Sequence, residues 1–167
     1  NYPNNPTGAV ATRDFLNRLV EFARSYDIAV CYDNPYSEIV FEGERLSFLN
    51  APGAKDVGVE LNSLSKPFNM TGWRIGMACG NPDLVRGIAT VKANTDSGIF
   101  NAIQYAGIEA LDHGDACTAR MLEIYADRRE RLMAVLRDLG WTFTPPPATF
   151  YVWVPVPEGY TSASFCD

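Results

Sequence analysis

Apolar residues along the chain recur in two rhythms, and the change from one to the other marks its elements. From Phe15 to Ala23 they fall at helical spacing (Phe15, Leu16, Leu19, Val20, Phe22, Ala23), behind Thr12 as an N-cap and Asp14 in the first turn. This predicts an amphipathic helix ending near Tyr26. Residues 28–32 follow as an unbroken apolar run, as in a strand buried on both faces. Residues 57–61 form a second such run, and residues 74–80 a third strand with Gly72, Gly76 and Gly80 allowing bends.

Pro82 sits where the first turn of a helix tolerates it, and Leu84, Val85, Ile88 and Val91 carry the helical period to about Ala93. Residues 94–98 interrupt it, residues 99–111 resume as a short helix, and residues 115–139 form a long one closed by Gly140. The run Asp127-Arg-Arg-Glu-Arg131 reads as a solvated face with i,i+4 pairs. Beyond Gly140, residues 141–143 and 149–154, separated by Pro145, Pro146 and Pro147, read as two strands of a different layer. Apolar strands alternating with helices predict an α/β fold with a mainly parallel sheet and flanking helices. The change in composition puts a domain boundary inside the long helix, between residues 1–125 and an incomplete second unit, 126–167.

Composition narrows the function. A chain of 167 residues, 47% hydrophobic and 20% charged, is globular in character. Its 20 acidic residues outnumber 14 basic ones, and no basic cluster compensates, which argues against nucleic acid as a partner. The four cysteines, Cys31, Cys79, Cys117 and Cys166, form no C-x-x-C pair, and His113 is the only histidine, so neither a metal site nor a disulfide framework is expected. The cysteines read as small buried hydrophobes of a reducing compartment, the cytoplasm by default. No apolar stretch approaches the ~18 residues of a membrane span. The chain opens without Met inside a turn-rich loop and stops where a helix begins, as expected of an internal piece of a longer protein.

The candidate chemistry centres on Ser63-Leu-Ser-Lys-Pro-Phe-Asn-Met-Thr-Gly-Trp-Arg74, a polar loop after the second apolar run. A lysine amine is mostly protonated at neutral pH, with a reference pKa of ~10.4. Desolvation or nearby positive charge makes it a nucleophile that condenses with carbonyls. Lys66 is the candidate nucleophile; Arg74 supplies charge and a fork for a phosphate, and the Ser63 and Ser65 hydroxyls add hydrogen bonds. Lysine, phosphate grip and carbonyl chemistry together suggest pyridoxal phosphate. An isolated Ser-x-Ser-Lys also fits a solvated turn. Asp33 likewise follows an apolar strand directly, so it and Lys66 are expected to share the crevice beyond the strand ends. There a carboxylate pairs with a pyridinium nitrogen and keeps the ring an electron sink. Tyr36, three residues on, offers a hydroxyl to the same ligand, and Asn5, in the turn Asn4-Asn-Pro-Thr-Gly8, offers an amide.

Asn5-Pro-Thr-Gly8, Asp33-x-x-Tyr36, and Ser63-x-Ser-Lys66 with Arg74 in Gly-Trp-Arg-Ile-Gly together resemble the class I/II aminotransferases of the aspartate aminotransferase fold. Within that family, Tyr2-Pro-Asn-Asn-Pro-Thr-Gly-Ala9, Asn101-Ala-Ile-Gln-Tyr-Ala-Gly107 and Ala148-Thr-Phe-Tyr-Val-Trp153 look like the bacterial LL-diaminopimelate aminotransferases. The resemblance implies a fold type I pyridoxal-phosphate enzyme: part of the large cofactor-binding domain in residues 1–125 and the start of the small C-terminal domain in 126–167. It implies that Lys66 holds the cofactor and shuttles a proton, and that Asp33 pairs with the ring nitrogen. Asn5 and Tyr36 would bond the phenolic oxygen, while Ser63, Ser65 and Arg74 hold the phosphate.

Asn101 would reach cofactor or substrate across a homodimer interface, with sites shared between subunits, and Asn5 would also meet substrate. The implied substrates are a small amino acid and a 2-oxo acid, LL-2,6-diaminopimelate and 2-oxoglutarate of lysine biosynthesis, with no nucleic acid and no membrane. Another fold type I enzyme, such as an aspartate or aromatic aminotransferase or a β-lyase, shares the same lysine. So does the aminotransferase-like domain of some transcription regulators. The upstream phosphate loop and the substrate-carboxylate arginine of the family have no counterpart here, so these residues alone are not expected to turn over substrate.

Overall fold

The computed structural model describes residues 1–167. Helix α1 (Arg13–Ser25) begins where expected: the Thr12 hydroxyl accepts from the Phe15 amide at 3.1 Å. Its buried stripe, Leu16, Val20 and Ala23, lies against the sheet. That sheet has three strands in the order β1 (Val30–Asp33), β2 (Gly58–Ser63), β3 (Gly76–Gly80). Strands β1 and β2 run parallel with Val30 opposite Gly58, whereas β3 runs antiparallel to β2 with Gly76 opposite Ser63. A Cβ at Gly58 would stand 2.6 Å from the Val30 carbonyl and 2.8 Å from the Phe48 ring, so glycine lets these segments close up.

The α/β class thus holds with a mixed sheet. β3 reverses because the connection from Leu64 to Ile75 contains only a 3-10 turn (Thr71–Trp73) and no crossover helix, so the chain folds straight back. The main core is the cluster Leu16, Val20, Tyr32, Phe48, Ala51 and Ala54 between α1, β1 and the segment leading through the short helix α2 (Ala54–Val57). Tyr32 stacks on Phe48 with ring centroids 5.5 Å apart. Beneath it Glu60, buried on β2, accepts from Ser47 Oγ (2.8 Å), the Phe48 amide (2.7 Å), Asn34 Nδ2 (3.1 Å) and Asn62 Nδ2 (3.0 Å). Four donors offset the desolvation of a carboxylate that meets no cation.

Helices α3 (Pro82–Thr95), α4 (Asn101–His113) and α5 (Asp115–Asp138) follow, and α6 (Ser162–Cys166) ends the described chain. Asn81 caps α3 by accepting from the Asp83 and Leu84 amides, with Pro82 in its first turn. No helix is long and apolar enough to cross a membrane.

Several expectations fail for reasons visible in the packing. Residues 28–32 are not buried on both faces: Ile28 is exposed ahead of β1, and Cys31 is exposed on the face of β1 opposite the core side taken by Val30 and Tyr32. All four cysteines are exposed rather than buried. Cys31 and Cys79 lie on edge strands, and Cys117 and Cys166 on helices with one buried residue and none. The strands expected at 141–143 and 149–154 do not form. Pro145, Pro146 and Pro147 donate nothing to a ladder, and only an isolated antiparallel bridge between Val40 and Ala148 survives. The 127–131 run is solvated only in part. Arg131 pairs with Asp127 as expected, but the Arg129 side chain is only 11% exposed. Its Nε donates to the Pro146 carbonyl at 2.9 Å, it pairs with Glu42, and it lies over the Phe41 ring.

Candidate active site

Strand direction sets the site. β1 and β2 are parallel, so Asp33 at the end of one and Ser63 at the end of the other reach the same edge of the sheet, with Asp33 opposite Leu61. Residues 64–66 continue from that edge. Antiparallel β3 starts there, so Arg74 returns to the same end two residues before Gly76. The loop is closed by the Leu64 amide donating to the Ile75 carbonyl at 3.3 Å and by Thr71 Oγ1 donating to the Ser65 carbonyl at 3.2 Å.

The N-terminal turn folds over this edge. Asn1 Nδ2 donates to Asp33 Oδ2 at 2.6 Å, and Asn4 Oδ1 accepts from Thr7 Oγ1 at 2.7 Å. Gly8 sits at φ +73°, and a Cβ there would come within 2.7 Å of Pro146 Cβ, so only glycine lets the turn seat against the C-terminal segment. The turn holds Asn5 exposed above the edge, its amide donating to the Tyr151 hydroxyl at 3.3 Å.

Tyr36 is buried, with its ring edge-on to Phe150 and Tyr151. Its hydroxyl shares a 2.8 Å hydrogen bond with that of Tyr151, and Lys66 Nζ lies 5.6 Å from its ring centroid. Burial first, then the bond to Tyr151, push the Tyr36 hydroxyl well above the ordinary tyrosine range, which keeps it a neutral donor at working pH. Lys66 itself is half-buried.

Asn5, Asp33, Tyr36 and Lys66 therefore meet at one end of the sheet. Ser63 and Ser65 bracket the same loop, with Ser63 Oγ accepting from the Ser65 amide at 3.2 Å. Two expected members make no hydrogen bond to this group. Arg74, in the left-handed region at φ 54°, donates to the Thr71 carbonyl at 3.1 Å instead of to either serine. Asn101 is exposed in the first turn of α4, where it accepts from Gln104 Nε2 at 3.4 Å, and Phe100 rather than Asn101 holds the N-cap position. Tyr151 is a member that sequence reading misses, since its only local signal is an aromatic run.

The cleft of about 590 Å³ lined by Ser63, Pro67 and Glu60 includes neither Lys66 nor Asp33. The chemistry sits on the open sheet edge instead. A carboxylate, an amine, a neutral phenol and an amide thus gather around one strand-end loop. The chain belongs to the aminotransferase class I and II family, whose model matches residues 1–165.

It is 56% identical over 168 residues to a protein of Moorella thermoacetica named LL-diaminopimelate aminotransferase, covering 100% of this chain and 43% of that protein. A protein of the same name from Syntrophobacter fumaroxidans is 54% identical over 166 residues, covering 99% and 43%. The fold matches the substrate-bound BacF structure from Bacillus subtilis with a TM-score of 0.93 at 37% identity, over 98% of this chain and 42% of that one. A Thermus thermophilus aspartate aminotransferase double mutant matches with a TM-score of 0.80 at 34% identity, over 88% and 39%. The chain thus spans less than half the length of the relatives it matches.

Proposed function

We propose that these residues form the cofactor-binding part of a pyridoxal-phosphate-dependent aminotransferase that exchanges an amino group between LL-2,6-diaminopimelate and 2-oxoglutarate in lysine biosynthesis. The observation that carries the reading is the meeting of Asn5, Asp33, Tyr36 and Lys66 at one sheet edge, in a chain more than half identical to relatives of that name. The donor set fits the cofactor. Asp33 is a carboxylate with acceptor capacity left beside its bond to Asn1, which suits a protonated ring nitrogen. Tyr36 is held neutral and suits a phenolic oxygen together with Asn5. Ser63, Ser65 and the exposed guanidinium of Arg74 are the phosphate ligands of this reading.

When bound, pyridoxal phosphate supplies a carbonyl for amines and a ring that accepts electrons from the substrate Cα. Lys66 would hold the cofactor through its amine and would move the proton at the substrate Cα, as general base and then acid. Asp33 keeps the ring nitrogen protonated, and the Tyr36 and Asn5 donors stabilise negative charge on the phenolic oxygen.

The reading extends to a cytoplasmic homodimer with sites shared between subunits. In it Asn101, exposed on α4 beside the exposed Phe100 and Tyr105, serves the partner's cofactor or substrate. Residues 1–125 belong to the large domain and 126–167 open the small one.

The test uses the full-length protein. Supplied with pyridoxal phosphate, it should develop a visible absorption band and form glutamate from LL-2,6-diaminopimelate and 2-oxoglutarate. A band without glutamate from this pair overturns the substrate assignment, and release of free ammonia points to a lyase. No band at all overturns the cofactor.

A further inference from the structure

The contact between Tyr36 and Tyr151 joins residues 115 positions apart, and the chain places it by several independent restraints. Residues 39–42, just after Tyr36, pair with 147–149. The Phe41 amide donates to the Pro147 carbonyl at 2.8 Å, the Thr149 amide donates to the Ile39 carbonyl at 2.8 Å, and Val40 bridges Ala148. Arg129 fastens the same segment to α5 through the Pro146 carbonyl.

Thr149 is fully buried with φ 68°, a conformation that costs a β-branched residue about 1–3 kcal/mol and persists only where the surroundings impose it. Its Oγ1 accepts from the Tyr151 amide at 3.2 Å, so the strained residue aims the next two aromatic side chains at Tyr36.

A hydroxyl has one proton to give. In the pair Tyr36–Tyr151 either oxygen can be the donor, and the acceptors within reach decide. Asn5 Nδ2 can only donate, and it donates to the Tyr151 oxygen. The Tyr151 oxygen can accept from Tyr36 as well, and the bond to Tyr151 pushes the Tyr36 hydroxyl up, as a bond that Tyr36 donates does. When a stronger, anionic acceptor is offered, the Tyr36 hydroxyl can turn its proton to it, and the Tyr151 proton is then free to go to Tyr36, each donor in such a chain strengthening the next.

We propose that Tyr151 is a positioning residue of this site: seated on the Asn5 amide, its hydroxyl donates to Tyr36 once the Tyr36 proton turns to the phenolic oxygen of the bound cofactor, and supports it there. The inference rests on the cofactor reading above. Asp33 and Lys66 are the charged groups that share the site with this pair.

The sign of the effect follows. A better donor at the phenolic oxygen favours its anionic form and lowers the pH at which the bound cofactor gives up its proton. Losing the Tyr151 hydroxyl weakens the Tyr36 donor and raises that pH.

The experiment is a pH titration of the visible band of the full-length, cofactor-loaded protein and of its Tyr151→Phe, Tyr36→Phe and doubly substituted variants. Phenylalanine keeps the edge-on ring packing against Tyr36, and circular dichroism checks the fold. The midpoint should move up by about 0.5 to 1 in Tyr151→Phe and further in Tyr36→Phe. In the doubly substituted protein it should equal that of Tyr36→Phe alone, because Tyr151 acts through Tyr36. A wild-type band with an unmoved Tyr151→Phe midpoint, or shifts that simply add, overturns the role of Tyr151 alone. A wild-type protein without the band overturns the cofactor reading and this inference with it.

Discussion

Asp33 illustrates how a single side chain is held for its task. It ends β1, the backbone of the next residue is tied to β2 by the Asn34 amide donating to the Leu61 carbonyl at 2.8 Å, and Asn1 fixes one carboxylate oxygen. The other oxygen accepts from no group of the chain. Asp33→Ala in the full-length protein is expected to lower the transamination rate by about 100-fold, while the visible band remains because Lys66 still holds the cofactor. Steady-state rates and absorbance read the two effects separately, and a wild-type rate would remove Asp33 from the ring nitrogen. At this scale Asp33 and Lys66 are legible in the sequence because one directly follows an apolar run and the other lies in the polar loop after the next, so strand ends can be placed. Tyr151 is not legible: a hydrogen bond spanning 115 residues leaves no periodic trace. Arg74 is legible as a cation, yet its hydrogen bond to Thr71 follows from a left-handed backbone that no local pattern announces.

Among the elements, the helices announce themselves. Thr12 and Asn81 as caps, Pro82 in a first turn and Gly140 just past α5 are local signals with local causes, and α1, α3 and α5 begin or end where these residues stand. Strand pairing is less readable because it depends on partners far along the chain. Residues 149–154 are rich enough in aromatic and β-branched residues to suggest a strand, but without a neighbouring ladder they contribute only the Thr149 amide's bond to Ile39, beside the bridge at Ala148, and a strained turn. Glu60 is the clearest case of an element held by a polar side chain inside an apolar run: its carboxylate ties β2 to the 3-10 turn Phe48–Asn50 and to Asn34 beside Asp33. Glu60→Leu would fill the space and strand four donors. It is expected to cost about 3 kcal/mol, seen as a lower denaturant midpoint of the full-length protein, and an unchanged midpoint would show that the carboxylate does not hold the turn.

For the whole molecule, two segments far apart in sequence meet at the site. The turn around Asn5 and the segment carrying Tyr151 close over the edge where Asp33 and Lys66 emerge, and Gly8 packs directly on Pro146. Only 25 of 167 residues are buried, and they concentrate around α1, β1 and β2, while α3, α4 and α5 carry exposed Val91, Tyr105, Ile108 and Leu139. The most direct measurement is reductive trapping: the full-length protein is loaded with pyridoxal phosphate, reduced with borohydride, digested and mapped by mass spectrometry. The account predicts one modified peptide, with the cofactor mass on Lys66, and none at that position after Lys66→Ala. Cofactor found on any other lysine, or an unmodified Lys66 in the loaded wild-type protein, would contradict it.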